Sequence, residues 1–113
     1  MRSSIVTFIF ILSGLALMAQ PMTKSILLGQ SNINWKGYKV TGSHEGNIKF
    51  KSGTLTFNGQ ALNGGELLVD MNSIDCTDMQ GGGKAKLEGH LKSDDFFGVA
   101  AHPTASIKFT KVV

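Results

Sequence analysis

The residues best able to do chemistry in this 113-residue sequence are concentrated in residues 87–106, LEGHLKSDDFFGVAAHPTAS. His90 and Asp94 are four residues apart, so they share one face of a helix, and together with His102 they could hold a metal ion. A zinc site needs three or four convergent side chains, and only this one pair has helical spacing. We therefore predict that His90 lies at the end of the helix and that Asp94 and Asp95 lie at the N-terminus of a second helical turn, where negative charge is favourable. We predict no metal site. A metal-dependent enzyme using His90, Asp94 and His102 is the alternative.

Two further candidates, His44 and Cys76, lie outside that segment. A catalytic histidine needs a nucleophile beside it and a third group that orients it, and the run GSHEG around His44 is not accompanied by a GxSxG sequence. Cys76 is the single cysteine, so no disulfide can form within the chain. We predict no catalytic residue, a polar role at a sheet rim for His44, and a semi-buried structural thiol at Cys76. A disulfide to another chain is the alternative for Cys76.

An acidic group follows one of the predicted strands and comprises Asp70, Asp75 and Asp78. Calcium loops supply oxygen ligands at a regular spacing, which these three acids lack. The sequence therefore indicates a solvated turn, and it predicts no cofactor.

The N-terminal residues 1–19 have the composition of a secretory signal peptide. Arg2 precedes an uncharged apolar run over residues 5–18, which is shorter than the roughly twenty residues that a membrane-spanning helix needs. We predict cleavage after Ala19 and a periplasmic or secreted protein, with an uncleaved N-terminal anchor as the alternative. After signal removal no transmembrane span is expected.

The charge of the remaining chain excludes nucleic acids as partners. Once Arg2 is removed, the chain carries ten lysines against eight acidic residues. The lysines are scattered, whereas nucleic-acid-binding proteins cluster their basic residues on one surface. The length allows one domain. We predict this domain at residues 31–113, preceded by a polar leader at residues 20–30.

Alternation of apolar and polar residues predicts five short strands, at residues 32–36, 47–51, 54–58, 66–72 and 106–110. Ser52-Gly53 predicts a tight turn, Asn58-Gly59 a hairpin turn, and Gly64-Gly65 a bulge or a bend. Residues 81–83, three consecutive glycines, suggest a flexible joint before a short helix that starts at Lys84. The sequence thus predicts an all-β antiparallel meander with one short helical insertion.

Five strands are too few for an ordinary barrel, which needs about eight. The open edges would then favour pairing with other chains. We expect this chain to be a fragment of a longer barrel, and a homodimer or other open-edged interaction module is the alternative. The residues that alternation places inside, together with the Phe-Phe pair as a wall, form the predicted ligand-binding set: Trp35, Phe50, Phe57, Val69, Met71, Phe96, Phe97 and Phe109.

Several runs of the sequence, taken in order, resemble the YceI-like family of polyisoprenoid-binding proteins. They are GSHEG, SGTLTF, VDMNSI, GHLKSDDFF and HPTAS, and the likeness extends over residues 31–113. The resemblance implies an exported, lipocalin-like β-barrel of eight strands, of which this chain has the N-terminal part. It also implies a non-enzymatic protein whose partner is an isoprenoid or fatty-acyl amphipathic lipid held in an apolar lumen.

Overall fold

The computed structural model describes residues 21–113, which form a curled antiparallel sheet with one short α-helix. The predicted signal peptide lies outside the described residues. The strands are β1 (Pro21–Ser25), β2 (Ile33–Lys39), β3 (Gly42–Asn58), β4 (Ala61–Cys76) and β5 (Thr104–Lys108). A single 3-10 turn (Leu28–Gln30) precedes β2, and the helix α1 (Gly81–Lys92) connects β4 to β5. The sheet forms a half-barrel, which confirms the prediction of an incomplete all-β, lipocalin-like barrel.

Strand β3 organises the half-barrel because it is long enough to pair with three other strands. Its first half pairs with β2 and its second half with β1, both antiparallel and along the same edge. Its other edge pairs with β4, which in turn pairs with β5. β1 and β2 therefore lie end to end along one edge of the sheet, and β1 occupies residues that the sequence had indicated as a polar leader.

The prediction of a turn at Ser52-Gly53 is wrong, because β3 runs through both residues. The β3–β4 pairing shifts register between Phe50 and Ser52, so the irregularity is a bulge within one strand. A Cβ at Gly53 would lie 2.7 Å from a Leu67 methyl and 2.9 Å from an Ile26 methyl. Gly53 is thus a closely packed position within the sheet and not a chain reversal.

The hairpin predicted at Asn58-Gly59 is present, but its turn lies one residue later in the sequence. Asn58 is the last residue of β3 and pairs with Ala61, so the two turn residues are Gly59 and Gln60. Gly59 has a φ of 65°, which suits glycine at the first position of a two-residue hairpin turn. The bulge predicted near Gly64 is also present, as a register shift between the pairs Thr56–Gly64 and Phe57–Leu62. Local turn chemistry therefore determined this end of the β3–β4 hairpin.

The three glycines at residues 81–83 form the first turn of α1 and are not a flexible joint. Glycine is a weak helix former, so this helix depends on its contacts with β4. Lys84 of α1 lies 2.8 Å from the Asp75 carboxylate, and Glu88 accepts a hydrogen bond from the backbone N–H of Cys76 at 2.9 Å. Tertiary contacts thus override the local preference of the glycines.

The buried core lies between the sheet and the segment that contains α1 and the loop after it. Five residues form this cluster: Ile48, Val69, Met71, Ile74 and Val99. Ile33, Trp35, Phe50 and Leu91 pack around it. The loop leads back to the sheet at Pro103, whose carbonyl accepts a hydrogen bond from the Met71 N–H at 3.0 Å. β5 then begins at Thr104, two residues earlier than predicted, and ends at Lys108.

Candidate functional site

The concave side of the half-barrel contains a cavity of about 420 Å³ with almost wholly apolar walls. Strands β2, β3, β4 and β5 form one side of this cavity, and α1 and the loop after it form the other. Its lining residues are Ile33, Trp35, Lys36, Gly37, Ile48, Val69, Met71, Ile74, Leu91, Phe97 and Ala105. Lys36 is the one charged residue among the described residues that line it. The cavity is therefore suited to a hydrocarbon group.

Strand register brings the aromatic and aliphatic walls together. Ile33 pairs with Ile48, and Trp35 pairs with Gly46, so these side chains lie on one face of the sheet. The indole N–H of Trp35 donates a hydrogen bond to the carbonyl oxygen of Asn47 at 3.1 Å. This bond satisfies the single polar group of the ring and leaves the rest of the indole as apolar wall.

Four of the predicted lumen residues, Trp35, Val69, Met71 and Phe97, line this cavity. Phe50 is half-buried and packs against the core beside it. Of the adjacent aromatic pair, only Phe97 is at the cavity. Phe96 is 57% exposed and contacts the edge of the His90 ring, with the ring centroids 4.8 Å apart.

Phe57 and Phe109, the other two predicted lumen residues, lie at the end of the half-barrel opposite to the cavity. The Nζ of Lys24 lies 5.8 Å from the centroid of the Phe57 ring. A Cβ at Gly65 would lie 3.0 Å from a Leu55 methyl and 3.2 Å from the Phe109 ring, so Phe109 closes over this part of the sheet. These residues continue the apolar face away from the cavity.

Several apolar lining residues were not predicted from the sequence, namely Ile33, Ile48, Ile74, Leu91 and Ala105. Ile33 and Ile48 alternate in phase with Trp35 and Phe50, so the same pattern could have identified them. Ile74 lies in a part of β4 where the pairing with β3 jumps from Asp70 to Asp75. Period-two counting cannot assign a face across such an irregularity.

The histidine and aspartates at the end of α1 do not converge on a metal site. His90 contacts Asp95, at 3.1 Å between Nε2 and Oδ2, and not Asp94. Within residues 21–113, His90, Asp94 and His102 are not among the groups of three side chains close enough to share one ion. The alternative of a metal-dependent enzyme centred on these residues therefore lacks geometric support.

A different polar cluster forms where β3 and β4 meet near α1. The Cys76 thiol donates a hydrogen bond to Oδ1 of Asp78 at 2.9 Å, and Oδ2 of the same carboxylate lies 3.3 Å from Nδ1 of His44. Cys76 is fully buried, whereas the side chains of His44 and Asp78 are 29% and 30% exposed. The carboxylate of Asp78, predicted as part of a solvated turn, thus joins the predicted rim histidine to the predicted structural thiol.

The electrostatics of this cluster keep the thiol protonated. Burial is the main cause that raises the pKa of Cys76, and its hydrogen bond to Asp78 adds to the effect. The same hydrogen bond is the main cause that lowers the pKa of Asp78, and His44 contributes further. The carboxylate stands between the thiol and the imidazole, so His44 does not contact the thiol as the histidine of a Cys–His pair does.

No helix within residues 21–113 is long and apolar enough to cross a membrane. Neither a search of curated proteins nor a search of solved structures gives a significant match to the chain. The family sequence model of the YceI-like domain matches residues 25–113. This span contains the cavity and both ends of the half-barrel. YceI-like domains form a polyisoprenoid-binding family. Because the match extends over most of the sequence, the chain belongs to the YceI-like family.

Proposed function

We propose that the protein binds the hydrocarbon chain of a long amphipathic lipid, an isoprenoid or a fatty-acyl chain, along the concave face of the half-barrel. The observation that carries this proposal is the cavity of about 420 Å³ whose walls are aromatic and aliphatic side chains. The polyisoprenoid-binding character of the family supports it. The role is that of a binding protein and not of an enzyme.

Burial of methylene groups provides the binding energy, at about 0.8 kcal/mol for each CH₂. Such binding depends on chain length and on fit more than on specific polar contacts, so selectivity among chains is loose. The apolar face beyond the cavity, around Leu55, Phe57 and Phe109, accommodates the continuation of a long chain.

The protein acts after export, in the periplasm or outside the cell. This part of the proposal is supported by the signal-peptide composition of residues 1–19. N-terminal sequencing of the protein recovered from its native compartment would begin at Gln20. A mature protein that begins at Met1 and remains in the cytoplasm contradicts export.

Trp35 makes ligand binding directly measurable, because it is the single tryptophan of the chain and lines the cavity. Titration with a long-chain isoprenoid alcohol should shift the emission of Trp35 to shorter wavelength, and a five-carbon prenyl alcohol at equal concentration should not. Organic extraction of the purified protein followed by mass spectrometry should identify a co-purified lipid. Unchanged tryptophan emission together with a lipid-free extract would refute the proposal.

A further inference from the structure

The cluster of His44, Cys76 and Asp78 combines three kinds of metal-binding side chain outside the lipid cavity. Each residue offers one donor atom, and the three donor atoms lie within 4.8 Å of one another. Within residues 21–113, this is the group of histidine, cysteine and acidic side chains that meets such a distance limit. We propose that His44, Cys76 and Asp78 bind a divalent transition-metal ion, with Zn²⁺ as the ion that their chemistry favours.

The donor set is the first argument for zinc. Thiolate, imidazole and carboxylate are the three side-chain groups that bind Zn²⁺ in proteins, and the thiolate disfavours the hard cations Mg²⁺ and Ca²⁺. When Zn²⁺ binds, the thiol proton leaves to solvent and a sulfur–zinc bond takes its place. One thiolate and one carboxylate then balance the charge of the ion, and the imidazole binds as a neutral ligand.

The distances are close to those of a tetrahedral site. Donor atoms around a four-coordinate Zn²⁺ ion are about 3.5 Å apart, given metal–ligand bonds of about 2.0 to 2.3 Å. The Cys76 sulfur lies 2.9 Å from Oδ1 of Asp78, and Nδ1 of His44 lies 3.3 Å from Oδ2 of the same carboxylate. With one donor atom from each residue, all three donor pairs are within 4.8 Å, so side-chain movements of about 1 Å complete the geometry.

The backbone holds the ligands in place before any ion binds. Cys76 pairs with Gly46 across the β3–β4 ladder, and the N–H of Thr77 donates to the carbonyl of Glu45 at 3.0 Å. Glu88 of α1 accepts a hydrogen bond from the Cys76 N–H at 2.9 Å, which fixes the sulfur-bearing residue further. Rigid supports of this kind orient the ligands of metal sites.

The site is exposed enough for an ion to enter it, and its three ligands come from different parts of the fold. The side chains of His44 and Asp78 are about one-third exposed, so an ion can enter from solvent and reach the buried sulfur. Three protein ligands leave a fourth position for water or another small ligand. The bound ion would link β3, the end of β4 and the loop before α1, in a chain whose single cysteine cannot form an internal disulfide.

Titration of the protein with Co²⁺, a spectroscopic substitute for Zn²⁺, tests the site. One equivalent of Co²⁺ should produce the near-ultraviolet absorption of a thiolate–cobalt bond, and Zn²⁺ should displace it. Cys76→Ser should abolish this absorption, and His44→Gln should weaken Co²⁺ binding by at least about tenfold. His90→Gln is the matched control, because His90 also contacts an aspartate but has no thiol nearby, and it should leave binding unchanged.

Either of two results would contradict the proposed metal site. Absence of thiolate–cobalt absorption in the wild-type protein, or wild-type affinity in His44→Gln, would overturn it. His44→Gln also decides the question if Cys76→Ser fails to fold, because His44 is partly exposed and its replacement leaves the core intact. As a second readout, a fixed Zn²⁺ concentration should raise the unfolding midpoints of the wild-type protein and of His90→Gln equally, and that of His44→Gln by less.

Discussion

The ring of Trp35 packs so closely on Gly46 that a Cβ at Gly46 would lie 2.6 Å from a carbon atom of the indole. The two residues are partners across the β2–β3 ladder. The bond from the indole N–H to Asn47 fixes the ring in the same orientation. The absence of a side chain at Gly46 therefore sets how deeply the tryptophan lies in the cavity wall.

Replacement of Gly46 by alanine should destabilise the protein by about 1 to 3 kcal/mol, the usual cost of overpacking. The added methyl group would clash with both the indole of Trp35 and the carbonyl oxygen of Asp75. Urea denaturation followed by tryptophan emission measures the change. Gly37→Ala is the control, because nothing lies within 4 Å of a Cβ at Gly37. Equal midpoints for the two variants would disprove the close approach.

The neighbouring residues Phe96 and Phe97 should differ in their effect on lipid binding. Phe97 lines the cavity, whereas Phe96 contacts His90 on the outside. Phe97→Ala should weaken binding of a long-chain lipid by about five- to tenfold, since it removes part of the apolar contact area. Phe96→Ala should bind as the wild-type protein does. Titrations that follow Trp35 emission compare the two, and similar losses in both variants would mean that the chain does not occupy this cavity.

Substitution at Gly59 should show that the β3–β4 turn requires a left-handed backbone. Its φ of 65° costs a residue with a side chain about 1 to 2 kcal/mol. Gly59→Ala should therefore lower the free energy of unfolding by about 1 kcal/mol. Asparagine tolerates this conformation better, so Gly59→Asn should lose less. Thermal or urea unfolding provides the measurement, and an equal loss in both variants would argue against the turn.

The thiol of Cys76 should react slowly with a thiol reagent in the native protein. It is fully buried and donates a hydrogen bond to the Asp78 carboxylate, and both features oppose loss of the thiol proton to form the reactive thiolate. One thiol per chain should become reactive at the normal rate when the protein is unfolded in urea, since there is a single cysteine. Rapid modification of the folded protein would show that Cys76 is accessible. The assay uses the wild-type protein and follows the absorbance of the group that the reagent releases on reaction.

Much of the fold was predictable because it depends on local patterns. Alternation identified the inward faces around Trp35, Val69 and Met71, since successive side chains of a strand point to opposite sides. The hairpin near Asn58-Gly59 was predictable because its turn conformation selects particular residues. The same patterns failed at Ser52-Gly53 and at residues 81–83, where glycines serve packing and a supported helix.

What the sequence alone determined about this protein is therefore its all-β class, its main hairpin and part of its apolar face. Only the tertiary structure decided which of the apolar residues meet in one cavity, and that Phe97 and not Phe96 lies there. It also brought His44 beside Asp78, from 34 residues away in sequence. The physical reason is that the register between paired strands sets such contacts, and register depends on the fit of whole strands and their bulges, not on residues that are neighbours in the chain.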